Sequence, residues 1–302
     1  IRFSNICNMR CRMCGHFSSS RWYNDAKVLA ENYKEYRYTS VGPLNQNILH
    51  GVQDSTALLN RLDEYLPYVE ELYFAGGEPM IMEEHYRILK RLDELKLYDV
   101  YLRYSTNFMI MHHKDLDVIE TWKKFNHVYC AASIDASGDR AENIRKDSVW
   151  STIEKHVQRI KEEAPHVRFG IAPTLQIMNV FTICDLHKEW LEKGWLGPND
   201  IFFNILENPS FYNLKALPPH IKNDAKRILQ DHIVWLEKTY PNRNLDSVKA
   251  TIKNTIGFMF NEQLDEDVLR DMVRQTKLLD TIRHEDTPSI FPELQFIWDN
   301  YG

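Results

Sequence analysis

The sequence predicts an α/β fold, a partial (β/α)6 TIM-like barrel followed by a helical C-terminal extension, on three observations. Short β-rich runs alternate with longer amphipathic segments through residues 1–217, residues 218–302 read as helices alone, and three cysteines crowd the loop after the first β-rich run. Strands that alternate with helices pair in parallel through right-handed crossovers, and six such units curl into an open barrel.

In order, the strand candidates are Ile1–Ile6, Val69–Ala75, Val100–Ser105, His127–Ile134, Val167–Leu175 and Ile201–Leu206. Between them Thr56–Leu66, Glu83–Leu95, His113–Lys124, Val149–Glu163 and Thr182–Lys193 carry apolar residues at helical spacing. The connection from Gly15 to Asp54 is too long for an ordinary βα loop, and insertions of that kind in barrels serve as lids or substrate-binding elements. Its aromatics, Phe17, Trp22, Tyr23, Tyr33, Tyr36 and Tyr38, suit that role or simple packing onto the barrel. Pro218 and Pro219 then introduce three helices, about His220–Thr239, Leu245–Phe260 and Leu264–Asp280, separated by polar breaks such as Pro241 to Asn244.

Composition fits a globular enzyme: 43% hydrophobic and 26% charged residues suffice for a full core. No apolar run approaches the roughly 20 residues of a membrane span. The net charge of −6 argues against a dedicated nucleic-acid surface, which needs clustered Lys and Arg. Five cysteines in 302 residues, with no secretory signal, suit a reducing compartment and a cytoplasmic location. The chain opens at Ile1 inside a strand candidate, so an upstream segment is expected.

Cys7, Cys11 and Cys14 form a Cys-x3-Cys-x2-Cys run. Three thiolates on one loop bind three corners of a cubane and leave the fourth iron open to another ligand. A structural zinc site is the competing reading, with His16 the only nearby fourth ligand, and it would be closed and four-coordinate. A disulfide framework is disfavoured by the odd, sparse count. A loop at a strand's C-terminal end is also where barrel active sites gather.

Together with Gly76-Gly77-Glu78-Pro79 after the second strand candidate, this triplet resembles the radical S-adenosylmethionine enzymes, and the text from Arg2 to Gly15 resembles the subgroup with SPASM or twitch extensions for auxiliary clusters. The resemblance covers about residues 1–208. It implies a [4Fe-4S] cluster on Cys7, Cys11 and Cys14 that chelates S-adenosylmethionine and cleaves it reductively. The 5′-deoxyadenosyl radical so formed abstracts hydrogen from a substrate, which the subgroup suggests is a peptide or protein side chain. The implied electron donor is a flavodoxin or ferredoxin. A small metabolite or nucleoside is the alternative substrate, and a non-catalytic zinc or iron–sulfur binding protein is the alternative from another class.

By the same resemblance, Gly76 and Gly77 let the backbone approach the cofactor, Pro79 completes the turn, and Glu78 accepts from the methionyl ammonium. Asn107, in Ser105-Thr106-Asn107, faces the cofactor from the third strand end. On the fourth, Ser133 and Asp135 share a face, with Asp135 toward the ribose hydroxyls, and Arg145 pairs with the methionyl carboxylate. Gln176 follows the fifth strand on the face of Thr174, and Ile205 on the sixth flanks adenine. A tight turn for the glycine motif, an N-cap for Asn107 and a surface role for Arg145 remain open. Met13 stands where the family often has an aromatic, and its polarizable thioether can pack against adenine. Cys130 and Cys184 have no cysteine neighbours, so an auxiliary cluster is not expected within these residues.

Overall fold

The computed structural model describes residues 1–33, 44–51 and 54–302. Tyr36 and Tyr38 of the insertion lie outside them. A parallel sheet is built from β1 (Glu71–Phe74), β2 (Tyr101–Thr106), β5 (Val128–Ala132) and β6 (Arg168–Ile171), adjacent in that order. Between β2 and β5 a small antiparallel pair intervenes, β3 (His112–His113) with β4 (Leu116–Asp117). A parallel pair, β7 (Thr174–Leu175) with β8 (Asn204–Ile205), follows β6, to which a single Ile171–Ile201 bridge links the β8 segment. Register is explicit: Leu102 lies opposite Leu72 and Val128, and Cys130 opposite Tyr104 and Phe169. Alternation along β2 and β5 buries Leu102, Tyr104, Thr106, Val128, Cys130 and Ala132. Cys130 is therefore a small apolar core residue.

The helices are α1 (Trp22–Asn32), α2 (Ser55–Tyr65), α3 (Glu83–Glu94), α4 (Val118–Trp122), α5 (Gly138–Ile144), α6 (Trp150–Glu163) and α7 (Ile183–Glu192), then α8 (Pro219–Thr239), α9 (Asp246–Phe260), α10 (Asp267–Arg283), α11 (Thr287–Ile290) and α12 (Gln295–Tyr301). Their stripes are those the spacing implies: α6 buries Ile153, Val157 and Ile160, and α3 buries Ile88, Leu89 and Leu92. Asp54 caps α2 by accepting from the Ala57 N–H at 2.8 Å. One apolar core runs from β1 and β2 through Trp190 on α7 to Leu229, Val248 and Met272 on the tail helices. Among the described residues, no helix is long and apolar enough to cross a membrane.

Four expectations need correction. Ile1–Ile6 is extended chain with one antiparallel bridge, Ser4 to His50, because its polar groups are shared between two sides. Ala75 N–H donates to the Ile1 carbonyl, whereas Asn5 N–H donates to the Leu49 carbonyl and Gly51 N–H to the Phe3 carbonyl. The helix expected over His113–Lys124 shrinks to α4, because Asp117 accepts from the Ile119 and Glu120 N–H groups and starts the helix there. Val167–Leu175 splits into β6 and β7 at Pro173, which has no N–H to give a ladder. The third tail helix runs over Asp267–Arg283, ending at a left-handed His284 (φ 55°), and α11 and α12 follow it.

Candidate functional site

The loop carrying the triplet is pinned against the segment that follows α5. Arg10 N–H donates to the Lys146 carbonyl at 2.9 Å and Arg12 N–H to the Ile144 carbonyl at 2.8 Å. The Arg10 side chain reaches Asp147 and Asp25, and a turn over Arg12 and Met13, closed by the Cys14 N–H on the Cys11 carbonyl at 3.0 Å, follows Cys11. Arg145, between the two acceptors, brings its Nη1 to 3.7 Å from the Cys11 Sγ. The indole N–H of Trp22 on α1 holds the Cys11 carbonyl at 2.9 Å, and the Ser19 hydroxyl holds that of Met9 at 2.6 Å.

Cys7, Cys11 and Cys14 all line one cavity of about 160 Å³ at the C-terminal ends of the strands, with Gly76, Gly77, Asn107, Ser133 and Arg145. Asn107 Nδ2 lies 3.8 Å from the Cys7 Sγ and donates to Asn8 Oδ1 at 2.7 Å. All five cysteines are free thiols. A hydrogen bond between Cys14 and Cys11 lowers the Cys11 thiol and raises Cys14 well above its ordinary value. Burial pushes Cys7 up to about 12.

The glycine motif, which lines this cavity, also packs against the cysteine loop. Gly77 (φ 55°) packs so tightly that a β-carbon there would collide with the Ile6 carbonyl oxygen, and one on Gly76 (φ 84°) would collide with the Arg2 side chain. The close approach is thus to the stretch leading into Cys7. Glu78 N–H completes it by donating to the Ile6 carbonyl at 2.7 Å. The Glu78 carboxylate, almost fully buried, accepts from Met80 N–H at 3.0 Å, Thr106 Oγ1 at 2.8 Å and Asn107 N–H at 2.6 Å. It fastens the loop after β1 to the end of β2 and caps the turn begun by the buried Pro79. Burial raises its carboxyl to about 7.

Asp135 and Arg145, assigned to different parts of one ligand, meet each other. Arg145 Nη2 donates to Asp135 Oδ1 at 3.1 Å, Nε lies 2.7 Å from Oδ2, and Oδ1 also accepts from Thr174 N–H at 2.7 Å. Asn179 Nδ2 donates to the Asp135 and Thr174 carbonyls. Gln176 is fully buried, and its side-chain amide has no hydrogen-bond partner among the described residues. Met13, Glu78, Pro79, Asp135, Gln176 and Ile205 do not line the cysteine cavity, whereas Arg2, Met9, Ser18 and Ser19 do. Met9 could have been found from its place inside the triplet; nothing in the sequence marks Arg2.

The donor set fits a cubane. Three thiols face one cavity, and two N–H groups approach sulfurs, the kind of contact that tunes an iron–sulfur centre. Among the described residues, no group of three or more His, Cys, Asp or Glu side chains could hold a single metal ion.

No protein-family model matches the chain, and no curated protein matches it. Among solved structures, native anSMEcpe with bound AdoMet superposes with a TM-score of 0.50 at 18% identity, covering 78% of this chain and 59% of that one. Over that stretch the two chains share a fold. Streptococcus suis SuiB bound to the precursor peptide SuiA gives a TM-score of 0.48 at 12% identity, over 78% of this chain and 46% of that one. The chain spans less than two thirds of the length of either neighbour.

Proposed function

We propose that the chain is a radical S-adenosylmethionine enzyme of the SPASM or twitch type, in which residues 1–217 form a partial (β/α)6 barrel and residues 218–302 a helical extension. The observation that carries the reading is the convergence of Cys7, Cys11 and Cys14 on one cavity, with Asn107 and Arg145 turned toward two of the sulfurs. A [4Fe-4S] cluster and S-adenosylmethionine bound there supply one-electron cleavage of a sulfonium bond and hydrogen abstraction.

The chain's own residues supply position. Gly76 and Gly77 seat the cysteine loop on the end of β1, and Glu78 locks that seat to β2. The guanidinium of Arg145 and the carboxylate of Asp135 are a charge pair that a zwitterionic ligand can open, offering a cation to a carboxylate and an acceptor to hydroxyls. The Gln176 amide, buried without a partner, has donors and an acceptor to give. Ser133 at the cavity wall, with Met13 and Ile205, completes the proposed set. The substrate class follows the sequence resemblance, a peptide or protein side chain, with a flavodoxin- or ferredoxin-type donor in the cytoplasm.

Anaerobic reconstitution, followed by dithionite and S-adenosylmethionine, should give 5′-deoxyadenosine and methionine from the parent chain and neither from Cys11→Ala. A reconstituted protein that binds iron yet never cleaves the cofactor would overturn the reading.

A further inference from the structure

Arg12 stands between two of the cysteines, is fully buried, and spends its charge on the C-terminal extension. Its Nη2 lies 2.5 Å from Asp280 Oδ1 and 2.6 Å from Glu285 Oε2. Its Nε donates to the Asn143 carbonyl at 3.2 Å. Glu285 also pairs with Lys146 at 2.9 Å. Asp280 accepts from both the N–H and the hydroxyl of Thr287, and Asn143 Nδ2 donates to that hydroxyl at 3.1 Å. One turn further along the interface, Arg283 donates to Asp25, the same carboxylate that holds Arg10, and lies over the ring of Trp22. Among the described residues Arg10 is held by Asp147 at 2.9 Å as well as by Asp25, whereas Arg12 takes both of its carboxylates from the tail.

We propose that the α10–α11 corner is a clamp that positions the cysteine loop, with Asp280 and Glu285 as positioning residues acting through Arg12. The chemistry is specific to this arrangement. A buried guanidinium must keep its carboxylates, so wherever the corner goes Arg12 goes with it, and Cys11 and Cys14 are its chain neighbours. The main-chain bonds from Arg10 and Arg12 to Lys146 and Ile144 carry the same constraint to Arg145. The cavity then has its full lining only while the tail is docked. The inference rests on the cysteine loop being the functional loop, but the docking itself is independent of what the loop binds.

Hydrogen exchange on the metal-free full chain tests it. Glu285→Gln and Asp280→Asn should speed exchange of residues 7–14 and 143–146 by about tenfold or more, while α8 and the β1–β2 core keep their protection. Arg270→Gln, on the exposed face of α10, should change neither. In the reconstituted protein the same two variants should lose iron faster to a chelator and broaden the electron paramagnetic resonance signal of the reduced cluster. If the parent binds no iron, the functional reading fails while the exchange result still stands or falls alone. Faster exchange confined to residues 280–290, or equal loss of protection throughout the chain, overturns the clamp in favour of a merely stabilising ion pair.

Discussion

Glu78 and Asn107 are joined by a 2.6 Å bond from the Asn107 N–H to the Glu78 carboxylate, so the loops after two neighbouring strands move as one. Replacing Glu78 by Ala orphans three buried donors, and each costs about 1–3 kcal/mol when left unsatisfied. Glu78→Gln, which keeps an acceptor, should lose less. Chemical denaturation of the two variants checks the order.

The same carboxyl sets a pH dependence. Its folded value is raised from 4.5 to about 7 by burial, so the native chain holds this proton longer than the unfolded one. The associated stability is fully present below pH 4.5 and lost as pH rises to about 7. Subtracting the Glu78→Gln stability curve from the parent curve should reveal that fall. A flat difference over the window would contradict a buried, proton-holding Glu78.

An opposite slope belongs to His187 and His232, whose rings bond at 2.9 Å between α7 and α8. Burial lowers both, to about 3 and about 4 from 6.5. The unfolded chain takes up protons first as pH falls, so this pair's stability is complete above 6.5 and lost toward 4. The double variant His187→Leu/His232→Leu should show a shallower acid limb in melting temperature against pH.

Gly77→Ala should cost about 1–3 kcal/mol from the left-handed backbone alone, with a further loss as the β-carbon displaces the Ile6 carbonyl. Gly138→Ala, also at φ 55° but in open space, should lose only the backbone part. Thermal melts of the two separate strain from collision.

Much of this was legible in the sequence because it is local. The triplet, the glycine turn and the apolar stripes of α3 and α6 each declare themselves within a few residues. What was hidden is pairing across distance. Arg12 and Asp280 are 268 positions apart, and no spacing rule links them. The resemblance points Glu78 and Asp135 at a cofactor, and no local pattern shows that Thr106, Asn107, Arg145 and Thr174 bond them. The short α4 was missed because the helical period of 113–124 outweighed a single Asp117 cap. The strand expected at Ile1–Ile6 failed because its neighbours on both sides come from elsewhere in the chain.

The central claim, one open cubane on Cys7, Cys11 and Cys14, is tested most directly by counting iron and sulfide per chain after anaerobic reconstitution. Parent and Cys130→Ser/Cys184→Ser should each hold about four irons, and any single Ala replacement in the triplet should abolish stoichiometric iron while far-UV circular dichroism stays native. A colourless protein with about one zinc, or a Cys11→Ala chain that keeps its iron, would contradict it.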